Sequence, residues 1–272
     1  MKYTILKNIE KHMPVSIKRA IKKPMIIHLL LNETKSSVKS LIKFLFSKHI
    51  NLSFKQRIQL IKRFNKIRLN IECAHSFNEL MIPTNCILST PNHSKGCIVE
   101  AGAYKGGSTA KLSIVAKLCN RELYVFDSFE GLPNNNEPLA KTTLGYSCNF
   151  NKGEYYGTLK DVKKNISIYG EINKCIFMKG WFDDTMPNFN KDVIAVFCDV
   201  DLASSNRTCL KFMWLQMVDG GFFFSQDFHI PIVKELFTSK DFWMNEVGTD
   251  YIPKFHGVTK RFGYFIKGKK FN

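Results

Sequence analysis

From residue 96 onward, short apolar runs alternate with amphipathic stretches, and no other feature constrains the fold of this chain as strongly. Cys97–Glu100, Leu123–Phe126, Cys175–Met178, Val193–Cys198 and Phe222–Phe224 read as buried strands. Helical patterns lie between them at 107–119, 157–169, 204–218 and 231–238. Continuous apolar strands separated by helices predict a mostly parallel sheet wrapped by helices, because a parallel crossover needs a helix-length connection. Phe242–Val247 and Arg261–Ile266 are expected to add an antiparallel hairpin at the sheet edge.

The N-terminal part has a different texture. Residues 1–72 hold 17 Lys/Arg against 3 Asp/Glu, so they carry +14 of the formal net charge of +17. Pro14 and Pro24 punctuate them, and Leu41, Phe44, Leu45, Leu60, Phe64 and Ile67 keep helical spacing. A basic helical lobe over 1–82 is therefore expected beside a main domain over 83–272, with Pro83–Lys95 as a linker-like stretch. A Lys-rich coding bias is the plainer source of the charge. Such a lobe would pack near the mouth of the site or mediate homo-oligomer formation, with a peripheral contact to an anionic membrane as a further candidate role. Nothing in it resembles a nucleic-acid module.

Eight cysteines form no C-x-x-C pair and several sit inside apolar runs, which predicts reduced thiols in a cytoplasmic setting. The longest aliphatic stretch near the start, Met25–Leu31, is too short to span a bilayer, and no cleavable signal is predicted.

Polar residues collect where strands end. The first strand runs into Glu100-Ala101-Gly102 and then Gly106-Gly107-Ser108 at the start of a helix. Glycines at such a turn let a ligand approach the backbone. The run lacks a phosphate-loop signature, and the acidic residue suits a cationic ligand better than a phosphate; a purely structural turn remains the alternative. The second strand ends in Asp127, 25 residues past Gly102, where a carboxylate can accept from both ribose hydroxyls or simply serve as a turn former. The fourth and fifth strands end in Asp199 and in Gln226-Asp227. Neighbouring ends would let Asp199 and Asp227 share a hard cation such as Mg²⁺, with Gln226 or water completing the oxygen set. Alternatively, both aspartates cap the helices that follow.

Together these pieces resemble the macrocin O-methyltransferase family. The resemblance rests on Val99-Glu100-Ala101-Gly102-Ala103-Tyr104-Lys105-Gly106-Gly107-Ser108, on Asp127-Ser128-Phe129-Glu130-Gly131-Leu132-Pro133, and on Gly180-Trp181-Phe182-Asp183-Asp184-Thr185-Met186-Pro187. Asp199-Val200-Asp201-Leu202, Asp219-Gly220-Gly221 and Ser225-Gln226-Asp227 follow in order, so the likeness spans about residues 80–240. It implies a Rossmann-like class I methyltransferase fold that uses S-adenosylmethionine and, with Mg²⁺ as a candidate second cofactor, methylates a hydroxyl of a sugar or glycan-like acceptor. It implies a metal site of Asp199, Gln226 and Asp227, where the family pairs two aspartates at the last two positions. It also places Ala203 where the family usually has Tyr. On this reading Asp199 is the base, Asp227 a second ligand, Asp201 a candidate third, and His229 a candidate acceptor contact or a structural histidine. Glu100, Gly102 and Ser108 would line the methionine part of the donor, Asp127 the ribose, and Trp181, Phe182 and Asp183 the adenine, with Ala101, Gly106, Ser128, Phe129 and Asp199 as further donor-binding residues. The glycine-punctuated stretch Gly145–Gly157, with Tyr146, Phe150, Tyr155 and Tyr156, is expected to form a lid or a plain surface loop. A methyltransferase-fold protein whose basic arm binds an anionic membrane or nucleic acid, with another acceptor or a scaffold role, is the alternative function.

Overall fold

The computed structural model describes residues 35–91, 95–138, 141–145, 147 and 150–268. Expectations for Pro14, Pro24, Met25–Leu31, Tyr146 and Cys148 fall outside them. The chain divides into two compact units, residues 1–46 and 47–272, so the boundary expected at 82/83 lies instead inside a helix of the larger unit. In the first unit, helix α1 (Lys35–Phe46) buries Leu41, Phe44 and Leu45.

The larger unit begins with α2 (Phe54–Asn70) and α3 (Phe77–Ser89). Each starts in a capping box, Ser53 with Gln56 and Ser76 with Glu79, which satisfies orphan amides at both ends of the motif. In α2 the buried Leu60, Ile61, Phe64 and Ile67 fall on one stripe. Helix α3 corrects the expected linker at Pro83–Lys95. Pro83 sits inside the helix, where a proline costs about 3 kcal/mol. Burial of Leu80, Met81 and Ile87 offsets that cost, and the Thr84 and Asn85 side chains donate to the carbonyls of Leu80 and Met81.

Among the described residues the sheet has seven strands: β1 (Cys97–Ala101), β2 (Leu123–Asp127), β3 (Cys175–Lys179), β4 (Val193–Cys198), β5 (Met217–Ser225), β6 (His256–Gly257) and β7 (Gly263–Ile266). Their order is β3-β2-β1-β4-β5-β7-β6. The first five pair in parallel, and β7 runs antiparallel to both β5 and β6. Helices α4 (Gly107–Leu118), α5 (Leu159–Tyr169), α6 (Phe182–Thr185), α7 (Ala203–Gln216) and α8 (Pro231–Thr238) make the connections.

The edge hairpin differs from expectation. Phe242–Val247 is a π-helical turn, not a strand. Its Phe242, Trp243 and Val247 are buried, and the Trp243 indole donates to the Phe237 carbonyl at 3.0 Å while meeting Trp214 edge-on at 5.0 Å. Packing on one side won over the short apolar alternation that suggested a strand. Besides β5, the partner of β7 is the two-residue β6.

Strand order reverses between β1 and β4, the place where open parallel sheets leave a crevice at their carboxyl ends. Backbone bonds lock those ends together beyond the strands. Gly102 donates to Phe126, Asp199 to Ala101, Gln226 to Cys198 and Gly180 to Asp127, all at 3.0–3.1 Å.

Candidate active site

Gly102 stands where β1 meets the turn after β4. Its φ is +88°, and a Cβ there would lie 1.9 Å from the Asp199 carbonyl oxygen. Only glycine allows that approach. The consequence is a cavity of about 230 Å³ over the ends of β1, β2, β3 and β4.

One half of the cavity is walled by Gly102, Ala103, Tyr104, Gly107 and Ser108 from the glycine turn, by Asp127 and Ser128 after β2, and by Trp181, Phe182 and Asp183 after β3. Asp127 shapes this half. Its Oδ2 accepts from the Ala103 amide and its Oδ1 from the Phe129 amide, both at 2.6 Å, so the carboxylate ties the two turns together while lining the cavity. Burial pushes its pKa up, against the pull of those amides. Trp181 is 38% exposed at the rim, leaving an indole face free to stack. Asp183 accepts from the Thr208 hydroxyl at 2.8 Å, which anchors this wall to α7.

Glu100, Ala101, Gly106 and Phe129 lie behind the wall and do not line the cavity. Glu100 is fully buried, and neither carboxylate oxygen has a hydrogen-bond partner among the described residues. Burial lifts its pKa to about 7, against the weaker pull of the Ser108 and Thr109 hydroxyls.

The other half carries acid. One carboxylate oxygen each from Asp199, Asp201 and Asp227 lies within 4.8 Å of the others. Asp199 opens on the cavity, with its side chain 24% exposed, and His75 Nε2 sits 2.8 Å from its Oδ2. Burial works to raise the Asp199 pKa, but His75, with Arg261 and His229 beside it, outweighs burial and the carboxyl is held below its ordinary value. The same pair raises the His75 imidazole to about 10 even though burial alone would lower it. Asp201 adopts a left-handed φ of +61° and lines the cavity. Burial, then its two acidic neighbours, drive its pKa up. Asp227 is 1% exposed and braces the turn from beneath. Its Oδ2 accepts from Asn206 Nδ2 at 2.8 Å and from the Val200 and Asp201 amides at 3.1 and 3.2 Å. Burial and the charge of Asp199 push it up to about 7.

Gln226 and His229 are buried next to Asp227 in sequence and do not line the cavity. The Gln226 Nε2 has no hydrogen-bond partner among the described residues, and His229 Nδ1 lies 3.2 Å from the Gln226 carbonyl oxygen. Asp201 joins Asp199 and Asp227 in the acidic cluster.

Sequence reasoning missed a third wall. Glu72, Cys73, Ala74 and His75, in the connection between α2 and α3, and Arg261, just before β7, all line the cavity. The Ser76–Glu79 capping box marks where that connection ends and was available in the sequence. Nothing in the spacing of Arg261 pointed to the site. From the expected lid, Tyr155 reaches the cavity and meets Tyr104 edge-on at 5.9 Å, whereas Tyr156 is exposed and Phe150 packs against the core.

A family model described as macrocin-O-methyltransferase (TylF) matches residues 84–246, more than half of the sequence. The chain belongs to the macrocin O-methyltransferase family. Among curated relatives it is similar to the 8-demethyl-8-(2,3-dimethoxy-alpha-L-rhamnosyl)-tetracenomycin-C 4'-O-methyltransferase of Streptomyces olivaceus, at 28% identity over 52% of this chain and 56% of that protein. It is also similar to the mycinamicin III 3''-O-methyltransferase of Micromonospora griseorubida, at 29% over 52% and 58%. The matched stretch thus spans little more than half the length of these relatives. In fold, the chain resembles the O-methyltransferase NovP, with a TM-score of 0.63 at 19% identity, covering 86% of this chain and all of that one. It also resembles the calicheamicin methyltransferase CalS11, with a TM-score of 0.57 at 13% identity over 91% and 95%. The fold is that of the class I methyltransferases. Ala203, where the resemblance implied a tyrosine, has a methyl side chain, and its amide donates to Glu137 Oε2 at 2.8 Å.

Proposed function

We propose that this chain is an S-adenosylmethionine-dependent O-methyltransferase acting on a hydroxyl of a sugar or glycan-like acceptor. The observation that supports this reading best is that one cavity joins a glycine-and-aspartate half to an acidic half at the switch point of the sheet. The first half fits the donor: a narrow glycine turn for the methionine part, Asp127 at the end of β2 for the ribose, and the Trp181 indole for the adenine. The second fits a hard cation, because Asp199, Asp201 and Asp227 crowd three carboxyl groups together and a divalent ion would relieve their repulsion. Bound groups would supply a methyl on a positively charged sulfur and, for Mg²⁺, Lewis-acid polarisation of an oxygen.

The chain's own work is orientation and proton handling. An activated donor needs alignment above all, and alignment supplies roughly 7–11 kcal/mol. The sugar hydroxyl is a weak nucleophile, so its proton needs an acceptor as the oxygen reacts. Asp199 faces the cavity and remains ionised because His75 holds it so. Asp227 ionises near neutrality beneath it, so the cluster can take a proton without leaving a full charge unpaired. The name of one relative, a 4'-O-methyltransferase of a rhamnosyl-bearing tetracenomycin, supports a glycosyl hydroxyl as acceptor.

Calorimetry with S-adenosylhomocysteine, followed by a labelled-donor screen against sugars and glycolipids with and without chelator, tests the reading. Saturable binding that weakens in Asp127→Ala is expected, since hydrogen bonds to a charged group are worth about 1.5–3 kcal/mol each. A folded protein that binds no S-adenosylhomocysteine overturns it.

A further inference from the structure

The connection between α2 and α3 brings a thiol into the cavity that the transfer reaction does not use. Cys73 Sγ lies 3.1 Å from His75 Nδ1 and 3.6 Å from Lys111 Nζ. The imidazole is itself fixed, by Asp199 at 2.8 Å on its far nitrogen and by Phe197 edge-on at 5.1 Å. Cys73 also rests on the first residue of the 12-residue α4. A Cβ on Gly107 would stand 2.7 Å from the Cys73 Cβ and 3.2 Å from Sγ. An imidazole, an ammonium and a helix N-terminus all favour a sulfur anion. Cys73 lines the cavity on the side of Tyr104, Gly107 and Ser108.

We propose that Cys73 is a modification site: a nucleophilic thiolate that exchanges with small disulfides, forming an adduct that shuts the donor out of the cavity. The exclusion step rests on the donor site proposed above. The thiolate of Cys73 attacks one sulfur of R–S–S–R, a new Cys73–S–S–R bond forms, the old S–S bond breaks, and R–S⁻ leaves carrying the electron pair. The backbone of α4 closes the space on one side of Sγ, so the added group must project into the cavity.

The other thiols provide an internal comparison. Burial pushes Cys97 and Cys175 up to about 12 and raises Cys119 and Cys198 as well. Burial opposes ionisation of Cys73 too, but His75 and Lys111 bring it down to about 7. Against these four, selective reaction at Cys73 is therefore expected of the folded protein.

The test uses the chain of 272 residues, oxidised glutathione as the probe, and two separate readouts. Peptide mass spectrometry after brief exposure at pH 7 should find one glutathionyl adduct, on Cys73, formed roughly tenfold faster than on any other cysteine. Calorimetry should show S-adenosylhomocysteine binding lost with the adduct and restored by dithiothreitol. Cys73→Ser should keep the same affinity before and after the disulfide, and Lys111→Gln should slow adduct formation while melting cooperatively. Modification that prefers another cysteine, or none in the folded protein, overturns the thiolate. An adduct on Cys73 that leaves donor affinity unchanged overturns the exclusion. Reduced protein that binds no S-adenosylhomocysteine overturns the donor site and the exclusion with it, while the mapped adduct still decides the thiolate.

Discussion

Asp199 faces two ways: toward the cavity with one side of its carboxylate and toward His75 at 2.8 Å with the other. Asp199→Asn preserves shape but removes the charge that takes up the acceptor proton. Turnover is expected to fall roughly 10²–10⁴-fold, the usual worth of a general base, with donor affinity nearly unchanged in calorimetry. Wild-type turnover would sink the assignment. Glu100 offers a test by pH. Its carboxyl titrates near 7 in the fold against 4.5 for an unperturbed group, because burial disfavours the charge. The folded state thus holds this proton more tightly, so the stability it contributes is complete below about pH 4.5 and is lost as pH rises through 7. A shift of that size amounts to about 3 kcal/mol. Glu100→Gln should flatten the stability profile between pH 5 and 8 in urea unfolding, relative to the parent. An identical pH slope would show that Glu100 does not titrate there. Asp127 and Asp199 were legible in the sequence because a polar residue after an apolar run marks a strand end. The depth of Glu100, Gln226 and His229 was not, because burial behind a cavity wall depends on elements distant in sequence. Asp201 was legible only as a neighbour of Asp199: its place in the cluster follows from a left-handed backbone.

The segment between β2 and α5 is held at defined points. Leu202 caps α7 without a side-chain hydrogen bond, and the two amides that follow are satisfied instead by Glu137, at 2.8 Å to Ala203 and 2.8 Å to Ser204. The Thr143 amide adds a bond to the His229 carbonyl at 2.8 Å, and Leu132 exchanges bonds with Gly153 and Glu154. A carboxylate on a helix N-terminus contributes about 1 kcal/mol. Glu137→Ala should lower stability by about that amount, and hydrogen exchange should quicken at the Ala203 and Ser204 amides and through 131–157. Unchanged exchange there would mean that the loop holds itself. The five parallel strands and the helices between them were readable because their apolar runs are long and distinct. Helix α3 was obscured by Pro83, whose helix-breaking tendency is outweighed by burial that no local pattern displays. The π-turn at Phe242–Val247 shares its short apolar spacing with a strand, and only the contact of Trp243 with Trp214 decides between them.

At the scale of the molecule, the sheet sets where the chemistry sits, and the helices N-terminal to it complete the site. Helix α2 packs on α4 and α5, and Arg63 reaches Glu171 at 2.8 Å. The connection that follows α2 carries Cys73 and His75 into the cavity. The family match begins at residue 84, so these walls lie outside it while belonging to the same compact unit. Two truncations separate the roles. Removing residues 1–72 would strip Leu60, Ile61, Phe64 and Ile67 from the core. At about 1.5–3 kcal/mol per buried side chain, the loss approaches the whole stability of an ordinary domain, about 5–15 kcal/mol. The fragment 73–272 should therefore aggregate. Removing only residues 1–46, which carry ten Lys/Arg against two Asp/Glu, leaves the larger unit and every cavity wall in place. Fragment 47–272 should elute as a folded species, melt cooperatively and bind S-adenosylhomocysteine as the full chain does. If residues 1–46 also draw the protein to anionic surfaces, at about 1 kcal/mol for each Lys or Arg near the leaflet, the full chain but not 47–272 should sediment with phosphatidylserine vesicles, and the difference should vanish in high salt. A soluble, cooperatively melting 73–272 would show that α2 is dispensable to the core, and an aggregated 47–272 would show that the first unit is not.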